Sequence, residues 1–201
     1  MTIIRIETPR LLIRSPEMAD AAVINAAIHA SAANLQAWMP WATPLPSLEQ
    51  TSTYQQDVIA KTAADEAYPL RMFTHDGGFV GASGLHAVDW RIPKAEIGYW
   101  IADAQAGRGY ASEASAAITD FALGAMGLRR VEIIVSDRNP RSWRIPERLG
   151  YRLEGILRCH RVNPDGQVDH TRIYARINEA PQAQEPWAGV QRRANAGKAA
   201  T

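Results

Sequence analysis

Apolar and polar residues alternate with a period of two over residues 3–14, interrupted at Thr8-Pro9. Successive strand side chains point to opposite faces, so this stretch predicts an N-terminal strand leading out of a turn. Over 16–31 the period lengthens: Pro16 suits a first helical turn, and Ala22, Val23, Ala26 and Ala27 make an apolar stripe. A second helix is predicted over 47–66, with Ser47 as N-cap and Gln50 at the capping-box spacing. Strands over 69–75 and 79–89 flank Asp76-Gly77-Gly78, a hairpin signal, and after Pro93-Lys94 a third strand covers 95–102. A helix over 112–126 puts Ala114, Ala117, Ile118, Phe121, Ala122 and Met126 on one face, with a stop at Gly127-Leu128. A short strand follows over 131–135, parallel to 95–102 if the crossover has the usual hand. Asn139-Pro140 opens the next helix, asparagine as cap and proline at the first position, and Gly150 ends it. Residues 151–162 and 167–177 form a closing hairpin.

The fold class is therefore α/β (α+β): a mixed, mostly antiparallel sheet with one parallel β-α-β crossover, flanked by helices. Residues 1–178 read as one domain. Residues 179–201, rich in Ala, Gln, Pro and Gly with Trp187 alone as an anchor, read as a tether or docked extension.

Composition narrows the function classes. The 201 residues are 46% hydrophobic, ample for a core. Lys and Arg number 22 against 21 Asp and Glu, a net charge of +1, which argues against nucleic acid or an anionic membrane as a general partner. No apolar run approaches the roughly 20 residues of a membrane span. Charge at Arg5 and Glu7 comes too early for a secretory signal. A single cysteine, Cys159, excludes an intramolecular disulfide and fits a reducing cytoplasm. It reads as a buried strand residue rather than a nucleophile. The five histidines lack metal-ligand spacing, so no metal is expected.

The chemistry concentrates at Ala106-Gly107-Arg108-Gly109-Tyr110-Ala111-Ser112-Glu113, between a strand and a helix. A helix N-terminus carries unpaired N–H groups and the positive end of the dipole, and Gly107 and Gly109 remove Cβ atoms that would hold a phosphate away. Residues 107–112 thus form a candidate anion site, to which Arg108 can add a charge-assisted contact. A simple αL turn is the alternative, since neither Gly-Lys-Ser/Thr nor a third glycine accompanies the pair. The aromatic stretch at 34–41, with Trp38 and Trp41, reads either as a loop capping the core or as the wall of a cleft.

Taken in order, these motifs resemble the GNAT superfamily of acetyl-CoA-dependent N-acetyltransferases, and within it the RimJ/RimL-type branch. The resemblance covers residues 3–177. It rests on Thr8-Pro9-Arg10-Leu11-Leu12-Ile13-Arg14, on Leu35, Trp38 and Trp41, and on Ala95-Glu96-Ile97-Gly98-Tyr99-Trp100-Ile101. It continues through the glycine stretch, Asn139-Pro140-Arg141-Ser142, and Arg148-Leu149-Gly150-Tyr151 with Glu154-Gly155. It implies a splayed pair of parallel strands, with the glycine loop cradling the pyrophosphate of coenzyme A. Backbone groups of Trp100, Ile101 and Ala102 would hold the pantetheine arm, Asn139 would hydrogen-bond it, and Ser142 would protonate the leaving thiolate. The acceptor implied is a primary amine, either a protein N-terminus of the ribosomal-protein type or a small metabolite or antibiotic amine. Trp38, Trp41 and His86 would stand at the acceptor, and family precedent allows a homodimer.

Two departures matter. The loop carries Ala106 where the family has Gln or Arg, with Gln105 one place early, which shifts phosphate binding toward backbone N–H groups. Arg161 occupies a position where some members carry a carboxylate, and an arginine cannot act as a base. It can instead disfavour a protonated amine and grip a carboxylate on the acceptor. The base candidates left are Glu96, His160 and, further out, His86. Each has an alternative: Glu96 paired with Arg91 or Lys94, His160 turned away from the face of Arg161, His86 structural. Ser142 could equally be a helix-start hydroxyl bonded to backbone. Pro146, four residues on, predicts a kink and an unpaired Ser142 carbonyl. Against the enzyme reading stands a non-catalytic acyl-CoA-binding regulatory module. A nucleotide-binding domain lacks a magnesium-holding motif.

Overall fold

A computed structural model describes residues 3–178; the expectations for 179–201 and the anchor Trp187 lie outside the described residues. An eight-stranded sheet runs β1 (Arg5–Glu7), β2 (Leu11–Arg14), β3 (Tyr68–Thr74), β4 (Phe79–Asp89), β5 (Lys94–Ile101), β6 (Arg130–Ser136), β8 (Val168–Ile177), β7 (Arg152–Val162). Among the described residues five α-helices flank it: α1 (Ala21–Ala30), α2 (Ala32–Trp38), α3 (Leu48–Ala63), α4 (Tyr110–Leu123) and α5 (Pro140–Arg148). β5 and β6 are parallel, joined by α4, and every other neighbouring pair is antiparallel. The mixed sheet with one crossover is the expected architecture. Among the described residues no helix is long and apolar enough to cross a membrane.

Alternation along the strands sorts side chains onto two faces. Leu70, Met72, Ala95 and Ile97 join Ile118, Ala122 and Met126 in the larger core, on the α4 face. Phe73, Phe79 and partly buried Trp100 join Ile24, Ile28 and Leu35 in a smaller core under α1 and α2. Local signals behaved as chemistry dictates. Ser47 accepts from the Gln50 N–H, and the Gln50 side chain returns the bond, closing the capping box of α3.

Five expectations need correction. The helix expected over 16–31 begins at Ala21 after a 3₁₀ turn at Met18–Asp20, and its buried stripe is Ala21, Ile24 and Ile28, with Ala22, Val23 and Ala26 exposed, because the larger isoleucines take the face against the sheet. The segment 3–14 forms two strands, β1 and β2, folded as a hairpin, because Thr8 O–H and N–H both bond Leu11 O and turn the chain. The segment over 34–41 is largely the helix α2, since Pro40 falls after its end and opens a 3₁₀ turn, where its missing N–H costs nothing. α4 stops at Leu123, capped by Gly124, before the predicted Gly127; the Leu128 N–H to Ala122 O bond then closes the end. Cys159 is exposed, with φ 49°, inside a register shift of β7 between Leu157 and Arg161. A bulge releases its residues from the two-residue burial period.

Asp169 fastens the β7–β8 hairpin to β6. Its carboxylate accepts from Ser136 Oγ, from Asn163 Nδ2 at 2.9 Å and from the His170 N–H at 2.7 Å. Burial would raise this carboxyl, but those bonds outweigh it and lower it to about 2. A depressed carboxyl stabilises the fold above its unfolded value and loses that contribution as pH falls through the folded one. Asp169→Asn is therefore expected to weaken the fold at neutral pH and to flatten the stability loss between about pH 4 and pH 2. Urea midpoints across a pH series check this, and an unchanged acid limb would refute it.

Candidate active site

β5 and β6 are paired only through Lys94, Ala95 and Glu96 against Arg130, Val131 and Glu132. Beyond that point β6 stays with β8, from Ile133 opposite Tyr174 to Ser136 opposite Thr171, while β5 stays with β4. The two strands part, and the β6-facing edge of Ile97–Ile101 has no ladder partner in β6. Backbone N–H and C=O groups demand partners, so this open edge is a built place for an extended ligand. A cleft of about 780 Å³ occupies the gap and reaches both faces of the sheet.

The glycine turn lies past the end of β5. Gly107 and Gly109 adopt φ of 77° and 81°, where other residues are strained, and Gly109 is the N-cap of α4. A glycine cap offers no side chain, and the first backbone bond of the helix is from Glu113 N–H to Gly109 O at 3.1 Å. The N–H groups of Tyr110, Ala111 and Ser112 precede it and face outward from the helix end. A Cβ at Gly107 would meet nothing within 4 Å, so the space before the turn is open. The Gln105 amide nitrogen lies 4.0 Å from where a Gly78 Cβ would stand, at the β3–β4 turn, consistent with a loop that relies on backbone donors.

What holds the turn was not foreseen. Glu113 accepts from Thr8 Oγ1 (2.6 Å), Arg10 N (3.0 Å) and Arg10 Nε (2.6 Å), and Arg10 donates to Arg108 O at 2.8 Å. Burial would raise the Glu113 carboxyl, but these donors hold it below its ordinary value. Arg10 also lies 4.8 Å over the Tyr110 ring. Thr8 and Arg10 belonged to the motif that carried the resemblance, but only the folded chain brings them to the loop.

On the α5 side, Asn139 caps the helix by accepting from the Ser142 N–H at 3.1 Å, which leaves its Nδ2 for other partners. Pro146 sits inside α5 and withholds the N–H that would meet the Ser142 carbonyl. The expected orphan is satisfied instead by Tyr99 of β5, whose hydroxyl donates to Ser142 O at 3.0 Å and lies 3.2 Å from Ser142 Oγ. Burial pushes the Tyr99 phenol up to about 12, against the opposing pull of the Ser142 bond, so it keeps its proton at neutral pH.

On the opposite face Glu96 lies across the β4–β5 ladder from His86, with Oε1 3.3 Å from His86 Nε2. Neither anticipated partner of Glu96 takes it: Arg91 binds Asp89 at 3.1 Å and Lys94 binds Glu132 at 3.7 Å. Both His86 and Glu96 line the cleft. Trp38 and Trp41 line it as well, with Trp41 6.3 Å from Trp100 and tilted to it. Arg161 lines it from β7, whereas His160 is exposed and bonds Thr171 Oγ1 at 3.1 Å, as neighbours on a strand should divide. Ser142, Asn139, Glu96, His86 and Arg161 thus share one cleft; Ile101, Ala102 and residues 107–112 stand outside its lining.

A family model described as an acetyltransferase (GNAT) domain matches residues 10–152. YdaF of Bacillus subtilis is 38% identical over 84 residues, 42% of this chain and 46% of that protein, so the match spans about half its length. A ribosomal-protein-serine acetyltransferase of Escherichia coli is 29% identical over 143 residues, 71% of this chain and 79% of that one. RimJ of Mycobacterium smegmatis, solved in complex with CoA-disulfide, superposes with a TM-score of 0.78 at 25% identity, covering 97% of this chain and 94% of its own.

Removing the Tyr99 hydroxyl strands the Ser142 carbonyl. Tyr99→Phe is expected to destabilise the protein by about 1–3 kcal/mol. Adding Pro146→Ala, which returns an N–H to that carbonyl, is expected to recover part of the loss. Denaturant unfolding of the double-mutant cycle measures the coupling, and additive effects would refute the assignment.

Proposed function

Because the chain belongs to the acetyltransferase (GNAT) family, we propose that it moves an acetyl group from acetyl-CoA directly to a primary amine. The observation that carries this is the pairing of a splayed β5 edge with an uncapped glycine turn at the start of α4. Together they suit a ligand that is extended at one end and anionic at the other.

In this reading, the N–H groups around Gly107–Ser112 hold the pyrophosphate at the positive end of the α4 dipole. Arg108 adds charge at the rim. The open edge of β5 up to Trp100 and Ile101 receives the amide groups of the pantetheine arm, and Asn139 Nδ2 supplies a further donor; Ala102, expected there too, has its N–H on Val80 O at 2.9 Å and its C=O on the Gln105 N–H at 2.8 Å. When bound, acetyl-CoA supplies the activated acyl thioester; the chain must orient it and manage two protons. Ser142 Oγ, 3.2 Å from the Tyr99 hydroxyl, gives its proton to the leaving sulfur and regains one from solvent, while Tyr99 keeps its own proton on the Ser142 carbonyl. Glu96, steadied by His86, is placed on the other face to take the proton from the incoming amine, directly or through a water. Trp38 and Trp41 wall the acceptor and keep bulk water out.

The acceptor we infer first is the α-amine of a protein N-terminus. A relative named ribosomal-protein-serine acetyltransferase supports that class, and a small amine-bearing metabolite is the other candidate.

Thiol release from acetyl-CoA against a panel of N-terminal peptides, amino acids and amines tests the proposal. Turnover with one class is expected, with kcat lowered about 10²-fold by Ser142→Ala. Gly109→Trp is expected to raise KM for acetyl-CoA by at least about tenfold, since the added ring meets the strained turn and the phosphate space. Glu96→Gln is expected to lower kcat about 10²-fold or more while leaving KM for acetyl-CoA within about twofold. Tight acetyl-CoA binding with silence across the panel would overturn catalysis in favour of an acyl-CoA-binding regulatory module.

A further inference from the structure

Arg71 stands on β3, facing α3, and is only 3% exposed. An arginine this deep ordinarily has a carboxylate, because removing a charge from water costs several kcal/mol unless it is paired. Arg71 makes no ion pair within 4.0 Å among the described residues. One terminal nitrogen donates to Gln55 Oε1, the other to Leu70 O at 3.3 Å, and Nε is buried without a partner. Gln55 is itself fully buried, and its amide nitrogen donates to Glu17 O at 3.0 Å, so its oxygen is held toward the guanidinium. The nearby carboxylate Asp20 is already taken by Arg14, in a two-pronged bond at 2.9 and 2.6 Å. Arg71 lines the cleft.

Arg161 of β7 is only partly buried, but its Nε is buried without a partner and it makes no ion pair among the described residues. Lys61 of α3 adds a third positive charge to the lining, against Glu96 as its one carboxylate. The glycine turn stands outside this lining, so these cations are not the pyrophosphate site.

We propose that the acceptor side of the cleft is an oxyanion receptor: the amine acceptor carries a carboxylate or phosphate group, anchored on buried Arg71 with Arg161 facing it. This rests on the acetyl-transfer reading for its name as an acceptor site, and for its chemistry on two guanidinium groups that have no carboxylate partner among the described residues and whose Nε atoms are buried without one. A planar guanidinium matches an oxyanion in a two-pronged bond. The same positive field works against a protonated amine, which favours the neutral nucleophile and selects against polycations.

The test uses the full chain and matched acceptors: an amino acid against its amide, phosphoethanolamine against ethanolamine, and spermidine. At saturating acetyl-CoA, kcat/KM is expected to be at least about tenfold higher for the anionic member of each pair. The amino-acid and phosphate arms distinguish the two sources of the group. Arg71→Gln and, separately, Arg161→Gln are expected to raise KM for the anionic acceptor while changing KM for acetyl-CoA less than about twofold. If Arg71→Gln does not fold, Arg161→Gln and the comparison of the matched acceptors carry the test. Equal or better turnover of the neutral members overturns the inference and leaves acetyl transfer standing. If no amine is acetylated, the transfer reading fails. Calorimetric titration of inorganic phosphate then decides the receptor: binding lost in Arg161→Gln supports it, and no binding overturns it.

Discussion

Three residue pairs, Lys94–Glu96 against Arg130–Glu132, join β5 to β6, and the geometry of the cleft follows from where that pairing stops. The closed end is pinned by charge and backbone together. Glu132 accepts from Arg130 at 2.7 Å and lies 3.7 Å from Lys94, while Arg130 also reaches Glu154 of β7 at 2.9 and 2.5 Å. Hydrogen bonds donated to Glu154 and Glu132 raise the Arg130 guanidinium despite the penalty of burial. Arg129 N and Arg130 N share the Pro93 carbonyl, at 2.7 and 3.2 Å, just before β5 begins. Each exposed pair is worth little alone, but a half-buried network anchored to backbone is not an isolated surface pair. Past Glu132, β6 runs on beside β8 on its other edge through four more pairs, Ile133–Ser136, while β5 follows β4 away from it, and the sheet opens.

An open sheet edge is costly unless something fills it, and the molecule puts its chemistry at that cost. Tyr99 reaches from β5 to α5 and satisfies the carbonyl that Pro146 strands, so a break in one element is repaired by its neighbour across the gap. The side chains on either side of β5 divide by parity. Tyr99 turns toward Ser142, whereas Glu96 and Trp100 turn toward His86 and Trp41. The hydroxyl pair Tyr99–Ser142 and the carboxylate Glu96 are thereby separated by the thickness of a single strand, which is what the proposed division of proton donor from proton acceptor rests on.

Much of this was legible in sequence because its physics is local. A capping box at Ser47 and Gln50, an asparagine cap before Pro140, and glycines at φ 77° and 81° each depend on residues within four positions of one another. The wrong expectations came where tertiary contact decides. Arg91 and Lys94 are close to Glu96 in sequence, but the ladder puts His86 opposite it. Cys159 looks like a buried strand residue until a bulge lifts it out. The helix stop at 127 was misplaced because Gly124 ends α4 before the turn that Gly127 completes.

By itself, the sequence determined most of the elements, the crossover and the glycine turn, because periodicity and capping act over one or two turns, while Asn139 and Ser142 became candidates through the motifs that carry the resemblance. Tertiary structure alone decided that Arg10 and Glu113, 103 residues apart, brace the turn, and that Tyr99 and Ser142, 43 apart, share a bond. It alone showed that Arg71 is buried without a carboxylate. These are matters of desolvation and pairing, and whether a charge is compensated depends on which distant groups the fold delivers to it.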